Sequence, residues 1–207
     1  MGGLADYARR PADIAIDAEG GQLHGLLEPL TSETVTTILG FTEVDRNGRL
    51  YNSAAVFHRG SVLGIYRKLH PAINKSVYTP GNKIPTFTIG DLSFGVLICH
   101  DSNYPELARV MASQGATALF VPTNNGLPLR KAATELRAEA RETDVARAIA
   151  NSVCVIRADV AGRTEKLICY GSSEIVDRKG EVVVSAAQLA PELIVADVET
   201  TRRPPPA

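Results

Sequence analysis

The sequence predicts an α/β protein in which helices lie outside a pair of packed sheets. Three observations carry that expectation. The apolar run Leu92 to Ile98 reads as a buried parallel strand, and a helix and a second buried strand at Ala118-Leu119-Phe120-Val121 follow it, making a βαβ unit from Phe94 to Val121. Two further stretches, Asn52 to Tyr66 and Ser172 to Val184, read as hairpins of strand-forming residues. Finally, Lys131 to Ala150 is a long helical pattern with many charges.

Length and composition bound the rest. A chain of 207 residues suits a single domain, here 1–207, with a weakly patterned start at 1–34 and a flexible tail at 200–207. A hydrophobic fraction of 44% and a net charge of -1 give no reason to expect nucleic acid or a membrane surface as partner. No run is long and apolar enough to span a bilayer, and Met1-Gly2-Gly3-Leu4 lacks the features of a signal peptide, so a cytoplasmic location is expected. The 3 cysteines, Cys99, Cys154 and Cys169, form no CxxC pair, which fits free thiols rather than a disulfide scaffold or zinc ribbon.

Along the chain, the scattered apolar residues before Leu30 predict a loop and a helix near Gln22 to Leu27. Val35 to Phe41 is the first strand, by its β-branched density. Asp45-Arg46-Asn47-Gly48 is a turn, and Arg59-Gly60 joins Asn52–His58 to Ser61–Tyr66. An irregular passage runs through Ala72 to Gly81. Gly90-Asp91 turns Thr86–Ile89 into Leu92–Ile98, and Pro105 suits the first position of a helix that stops near Gly115. In the long helix Leu136, Ala140, Val145, Ala146 and Ile149 are the expected inward positions. Val153–Ile156 is a strand with an inert buried Cys154, Asp177–Gly180 turns the second hairpin, and Leu193–Val198 is the expected last strand before a proline-rich tail.

Cys99 stands at the elbow between a strand and a helix. Open α/β sheets take ligands at the carboxyl ends of their strands, and a thiol placed there lies near the positive end of the following helix, which favours the nucleophilic thiolate. Cysteines that follow apolar runs are also common packing residues, so position by itself leaves both roles open. Pro122-Thr123-Asn124-Asn125-Gly126 ends the next strand and is expected on the same sheet edge.

At Tyr66-Arg67-Lys68 and at Gly95-Val96-Leu97-Ile98-Cys99-His100-Asp101, with Tyr104-Pro105-Glu106-Leu107 after it, the chain resembles the nitrilase superfamily of carbon-nitrogen hydrolases. The resemblance continues through Tyr51-Asn52-Ser53-Ala54, Tyr78-Thr79-Pro80-Gly81, Ala146-Arg147-Ala148 and Gly171-Ser172-Ser173, roughly from Val35 to Val198. It implies a nitrilase-like α-β-β-α sandwich with two packed sheets, paired into homodimers, and a Glu-Lys-Cys set that needs neither metal nor organic cofactor. It further implies that Cys99 attacks an amide, carbamoyl or nitrile carbon of a small molecule. Lys68 and the backbone N–H of His100 would then hold the developing oxyanion. Thr123, Asn124 and Asn125 would contact substrate, and Glu106 would be an ion-pair partner behind the site or simply an acid in a first helical turn.

The pattern also departs from the family's. Its members begin with a strand, a helix and a second strand ending in Pro-Glu, whose glutamate is the general base. Here Val35 to Glu43 matches a later strand, no carboxylate in Met1 to Thr34 follows a convincing apolar strand, and Glu43 matches a different position. Nor is there an acid at Asn74-Lys75-Ser76. The expectation is an N-terminally truncated relative, impaired by loss of a base that is ordinarily worth about a hundred- to ten-thousand-fold in rate. Two alternatives stand beside it: an inactive assembly module of the same fold, and an isochorismatase-like cysteine hydrolase, which would need an aspartate after a first strand that this chain lacks.

Overall fold

In the computed structural model, residues 11–71, 77–128, 133–163 and 167–199 are described. A four-stranded sheet takes the order β1 (Ile16–Asp17), β2 (Thr36–Val44), β3 (Leu50–His58), β4 (Ser61–Arg67). The long β2–β3 register runs from Thr36 opposite His58 to Val44 opposite Leu50, and β1 pairs parallel with β2 only at Glu43 and Val44. The Asp45 carboxylate and carbonyl tie off the intervening turn through Asn47, Gly48 and Arg49.

Alternation in β3 divides its side chains between two cores. Ala54 and Val56 face one cluster, and Ala55 and Phe57 the other. Helix α1 (Gln22–Leu27) covers the second cluster with Leu23 and Leu27. A helix of 6 residues cannot hold itself together in water, and these two leucines, at about 1.5–3 kcal/mol each for full burial, keep it in place.

The six-stranded sheet takes the order β13 (Val182–Ser185), β12 (Glu174–Val176), β9 (Cys154–Asp159), β7 (Ala118–Thr123), β6 (Leu92–Val96), β5 (Thr86–Ile89). Its centre, β6, β7 and β9, is parallel, and the outer pairings are antiparallel hairpins. β2 packs against β7, while α2 (Pro105–Ser113) and α3 (Ala133–Asn151) lie on β6 and β9. Gly95 permits the close approach of α2: a Cβ there would overlap the Met111 sulfur and crowd Leu119.

Four expectations need correction. A third, three-stranded sheet of β10 (Ala161–Arg163), β11 (Leu167–Tyr170) and β8 (Gly126–Pro128) stands beside the two expected ones; its segments are too short to show a period. Leu193–Val198 is not a strand, because Leu193 and Val195 are 87% and 78% exposed and find no sheet edge among the described residues. β6 ends at Val96 rather than Ile98. Among the described side chains of α3, Asp144 and Ala148 are fully buried, whereas Ile149 is 56% exposed and Ala146 is exposed on the cleft; Leu136 lies outside the described side chains. A carboxylate displaces the apolar stripe there because it has a buried cationic partner on β9. The expected features at 72–76 and in the 200–207 tail lie outside the described residues.

Candidate active site

After β6, the Leu97 N–H still donates to the Phe120 carbonyl (3.0 Å), and the chain then turns at Cys99 with φ 50°. A non-glycine residue in that left-handed region costs about 1–3 kcal/mol, so neighbouring groups must hold it there. Asp101, fully buried, is one of them: its carboxylate accepts from the Ile98 N–H (3.2 Å), the His70 N–H (2.9 Å) and the Tyr66 hydroxyl (2.8 Å). Burial, and then the Asp101 charge, push the Tyr66 phenol far above its ordinary value, so its O–H remains a donor. The Ser102 hydroxyl donates to the Cys99 carbonyl (2.9 Å). The polar turn is a 3-10 helix, Cys99–Asn103, and the α-helix begins at Pro105, where the sequence placed its first position.

Cys99 opens into a cleft of about 870 Å³ whose walls include Lys68, Asn52, Asn125 and Arg157. Lys68 leaves the end of β4, its N–H bonded to the Asn52 carbonyl (2.8 Å) and its carbonyl to the Gly81 N–H (2.8 Å). The residue is 5% exposed, and among the described residues no carboxylate pairs with it. A buried ammonium that no described carboxylate faces is costly, which marks it as a group held for its charge. The carboxylates on the cleft wall, Glu139 and Glu142 of α3, are exposed. Gly81 fits tightly beneath the lysine: a Cβ there would overlap the Arg67 carbonyl oxygen. Gly81→Ala is expected to cost about 1–3 kcal/mol in urea denaturation, because backbone must yield.

The sequence-predicted polar residues are present in the cleft but partly engaged. Asn125 Oδ1 accepts from the Cys99 thiol (3.3 Å), and Asn124 Oδ1 from the Cys169 thiol (3.2 Å). Thr123 is buried, its hydroxyl donating to the Val121 carbonyl (3.0 Å). His100 lines the cleft edge-on to Tyr104, and His70 stacks on that same ring. Glu106 lies behind the cleft, exposed in the first turn of α2, where its charge acts on Arg147, the side chain that ties to the Ser102 carbonyl. Glu43 is buried on another side of the sheet, bonded to Ser53 (2.6 Å) and Arg67. Burial raises the thiols of Cys154 and Cys169, the latter to about 11.

Sequence reasoning missed Arg157 and Asp144. The guanidinium, 3% exposed, donates to Asp144 Oδ2 (2.5 Å) and Oδ1 (2.6 Å), to Thr123 Oγ1 (2.8 Å) and to Ser102 Oγ (3.1 Å). The available signal was an arginine interrupting the apolar strand Val155-Ile156-Arg157-Ala158.

A family model described as carbon-nitrogen hydrolase matches residues 2–203. The chain belongs to the carbon-nitrogen hydrolase family. Within that family it is 30% identical over 189 residues to a nitrilase of Pyrococcus abyssi, covering 90% of this chain and 68% of the relative. It is 30% identical over 180 residues to an (R)-stereoselective amidase of Pseudomonas sp, covering 86% and 62%. The crystal structure of Saccharomyces cerevisiae Nit3, a member of the nitrilase superfamily, superposes with a TM-score of 0.70 at 27% identity, covering 86% of this chain and 65% of that one. This hydrolase-family chain thus spans about two thirds of the length of the relatives it matches. With the family shown, the isochorismatase-like alternative falls away. Among the described residues no helix is long and apolar enough to cross a membrane.

Proposed function

We propose that the chain hydrolyses a non-peptide carbon-nitrogen bond of a small amide, carbamoyl compound or nitrile through Cys99, with Lys68 as the electrostatic partner. One observation supports this most: a thiol on a left-handed elbow and a buried lysine without a carboxylate partner among the described residues open into the same cleft. The Cys99 sulfur attacks the electrophilic carbon, and the C–S bond forms as a carbonyl or nitrile π pair moves onto the heteroatom. Lys68 and the His100 N–H hold that charge. For an amide, collapse breaks the C–N bond, and the amine leaves with the proton given up by the thiol. Water then cleaves the thioester, releasing the acid and restoring the thiol. No metal or organic cofactor enters these steps.

The supporting frame is a four-layer α-β-β-α sandwich in one domain, with α1 outside one sheet and α2 and α3 outside the other, paired into a homodimer in a reducing, cytoplasmic setting. Turnover in this reading is slow, because among the described residues the carboxylates on the cleft wall, Glu139 and Glu142, are exposed on α3 and bonded to no group of the site. That same observation favours a second reading, a weakly active or inactive assembly module.

Alkylation by iodoacetamide separates the two. In the folded protein at pH 8, Cys99 is expected to react at least tenfold faster than Cys154 and Cys169, whose thiols are raised by burial. Rates are read peptide by peptide by mass spectrometry. Equal rates at the three thiols end the hydrolase reading and leave the module.

A further inference from the structure

The turn that follows β6 carries Cys99 and Ser102, Thr123 ends β7, and a single buried side chain from a third strand, β9, bonds to both places. We propose that Arg157, oriented by Asp144, is a positioning residue for the nucleophile: through Ser102 it fixes the strained Cys99 turn, and through Thr123 it ties that turn to the end of β7. The inference rests on the hydrolase reading, since it assigns a task to residues around that same sulfur.

Hydrogen-bond direction carries the argument. A guanidinium can only donate, so Ser102 Oγ and Thr123 Oγ1 must accept from it. Each hydroxyl has one proton, and with its oxygen so engaged that proton is free to go one way: Ser102 gives it to the Cys99 carbonyl and Thr123 to the Val121 carbonyl. Arg157 therefore sets the polarity of both links. Asp144 holds the other side of the fork in two short bonds, and burial, which opposes the charge, is outweighed by that carboxylate so that the guanidinium stays firmly protonated. Arg147 adds a second tie on the same turn, its Nε donating to the Ser102 carbonyl (2.8 Å). A lysine at 157 would keep the charge but lacks the planar fork that reaches Asp144, Thr123 and Ser102 together.

The test uses Ser102→Ala, Arg157→Lys and the double variant, with two readouts on the full chain: the rate of Cys99 alkylation by iodoacetamide, and thermal unfolding. Each single variant is expected to slow Cys99 alkylation at least fivefold while Cys154 and Cys169 keep their rates. Because both act on one link, the double variant is expected to be no slower than the slower single one. Ser102→Ala reacting at the wild-type rate overturns the proposal, and so does a double variant whose deficit equals the product of the two. Should Arg157→Lys unfold, Ser102→Ala decides alone. A wild-type Cys99 no faster than the other two thiols sinks the hydrolase reading and this proposal together; a fast wild-type Cys99 unaffected by Ser102→Ala sinks positioning alone.

Discussion

Asp144→Ala is expected to destabilise the protein by about 3–5 kcal/mol, the largest loss of stability from any single truncation considered. The arginine it abandons is 3% exposed, and two of its bonds, at 2.5 and 2.6 Å, go to this one carboxylate. Removing the carboxylate leaves a cation in the interior with two hydroxyls, Thr123 and Ser102, as its hydrogen-bond acceptors and the Asp159 charge at longer range. The cost is that of stranding a charge and not the net worth of the pair. Replacing both partners with apolar residues of similar volume, as in Asp144→Leu with Arg157→Met, is therefore expected to recover most of the loss. Urea unfolding followed by far-UV circular dichroism measures both variants. A single variant within about 1 kcal/mol of wild type would show that the ion pair is solvated in solution.

Lys68→Met is expected to move stability and chemistry in opposite directions. On the proposed mechanism it removes the cation beside the developing oxyanion, and loss of one such donor typically costs about a hundred- to a thousand-fold in the acylation step. Burst kinetics with an activated ester or amide would read that step separately from release. Stability is expected to stay level or rise, because an ammonium 5% exposed and without a carboxylate partner among the described residues is exchanged for an apolar chain of similar length. A variant that loses stability while acylating at the wild-type rate would place Lys68 among structural residues instead.

Much of the fold was legible because its signals are local. Gly90-Asp91 turns β5 into β6, Pro105 opens α2, and the short helix Gln22–Leu27 stands where scattered leucines predicted it. Of the site, Cys99 and Lys68 were singled out from the sequence, and the structure brings both to one cleft with Thr123, Asn124 and Asn125. Glu106, expected behind the site or as a first-turn acid, stands in the first turn of α2 within electrostatic reach of Arg147. The misses share a cause. Ile149 and Ala146 satisfied a helical period and face outward, while Asp144, which broke it, is buried. Leu193 and Val195 satisfied a strand pattern, yet no sheet edge reaches them among the described residues.

By itself, the sequence determined the main turns, the longer helices and strands, and that a cysteine follows closely on a buried strand, because backbone preference and hydrophobic period act within a few residues. Only the tertiary structure decided that Asp101 would bind the hydroxyl of Tyr66, that Arg157 would bridge the Cys99 turn and the end of β7, and that Lys68 would be buried without a carboxylate among the described residues. The worth of a charge depends on its burial and on partners far away along the chain, and neither is written in its immediate neighbours.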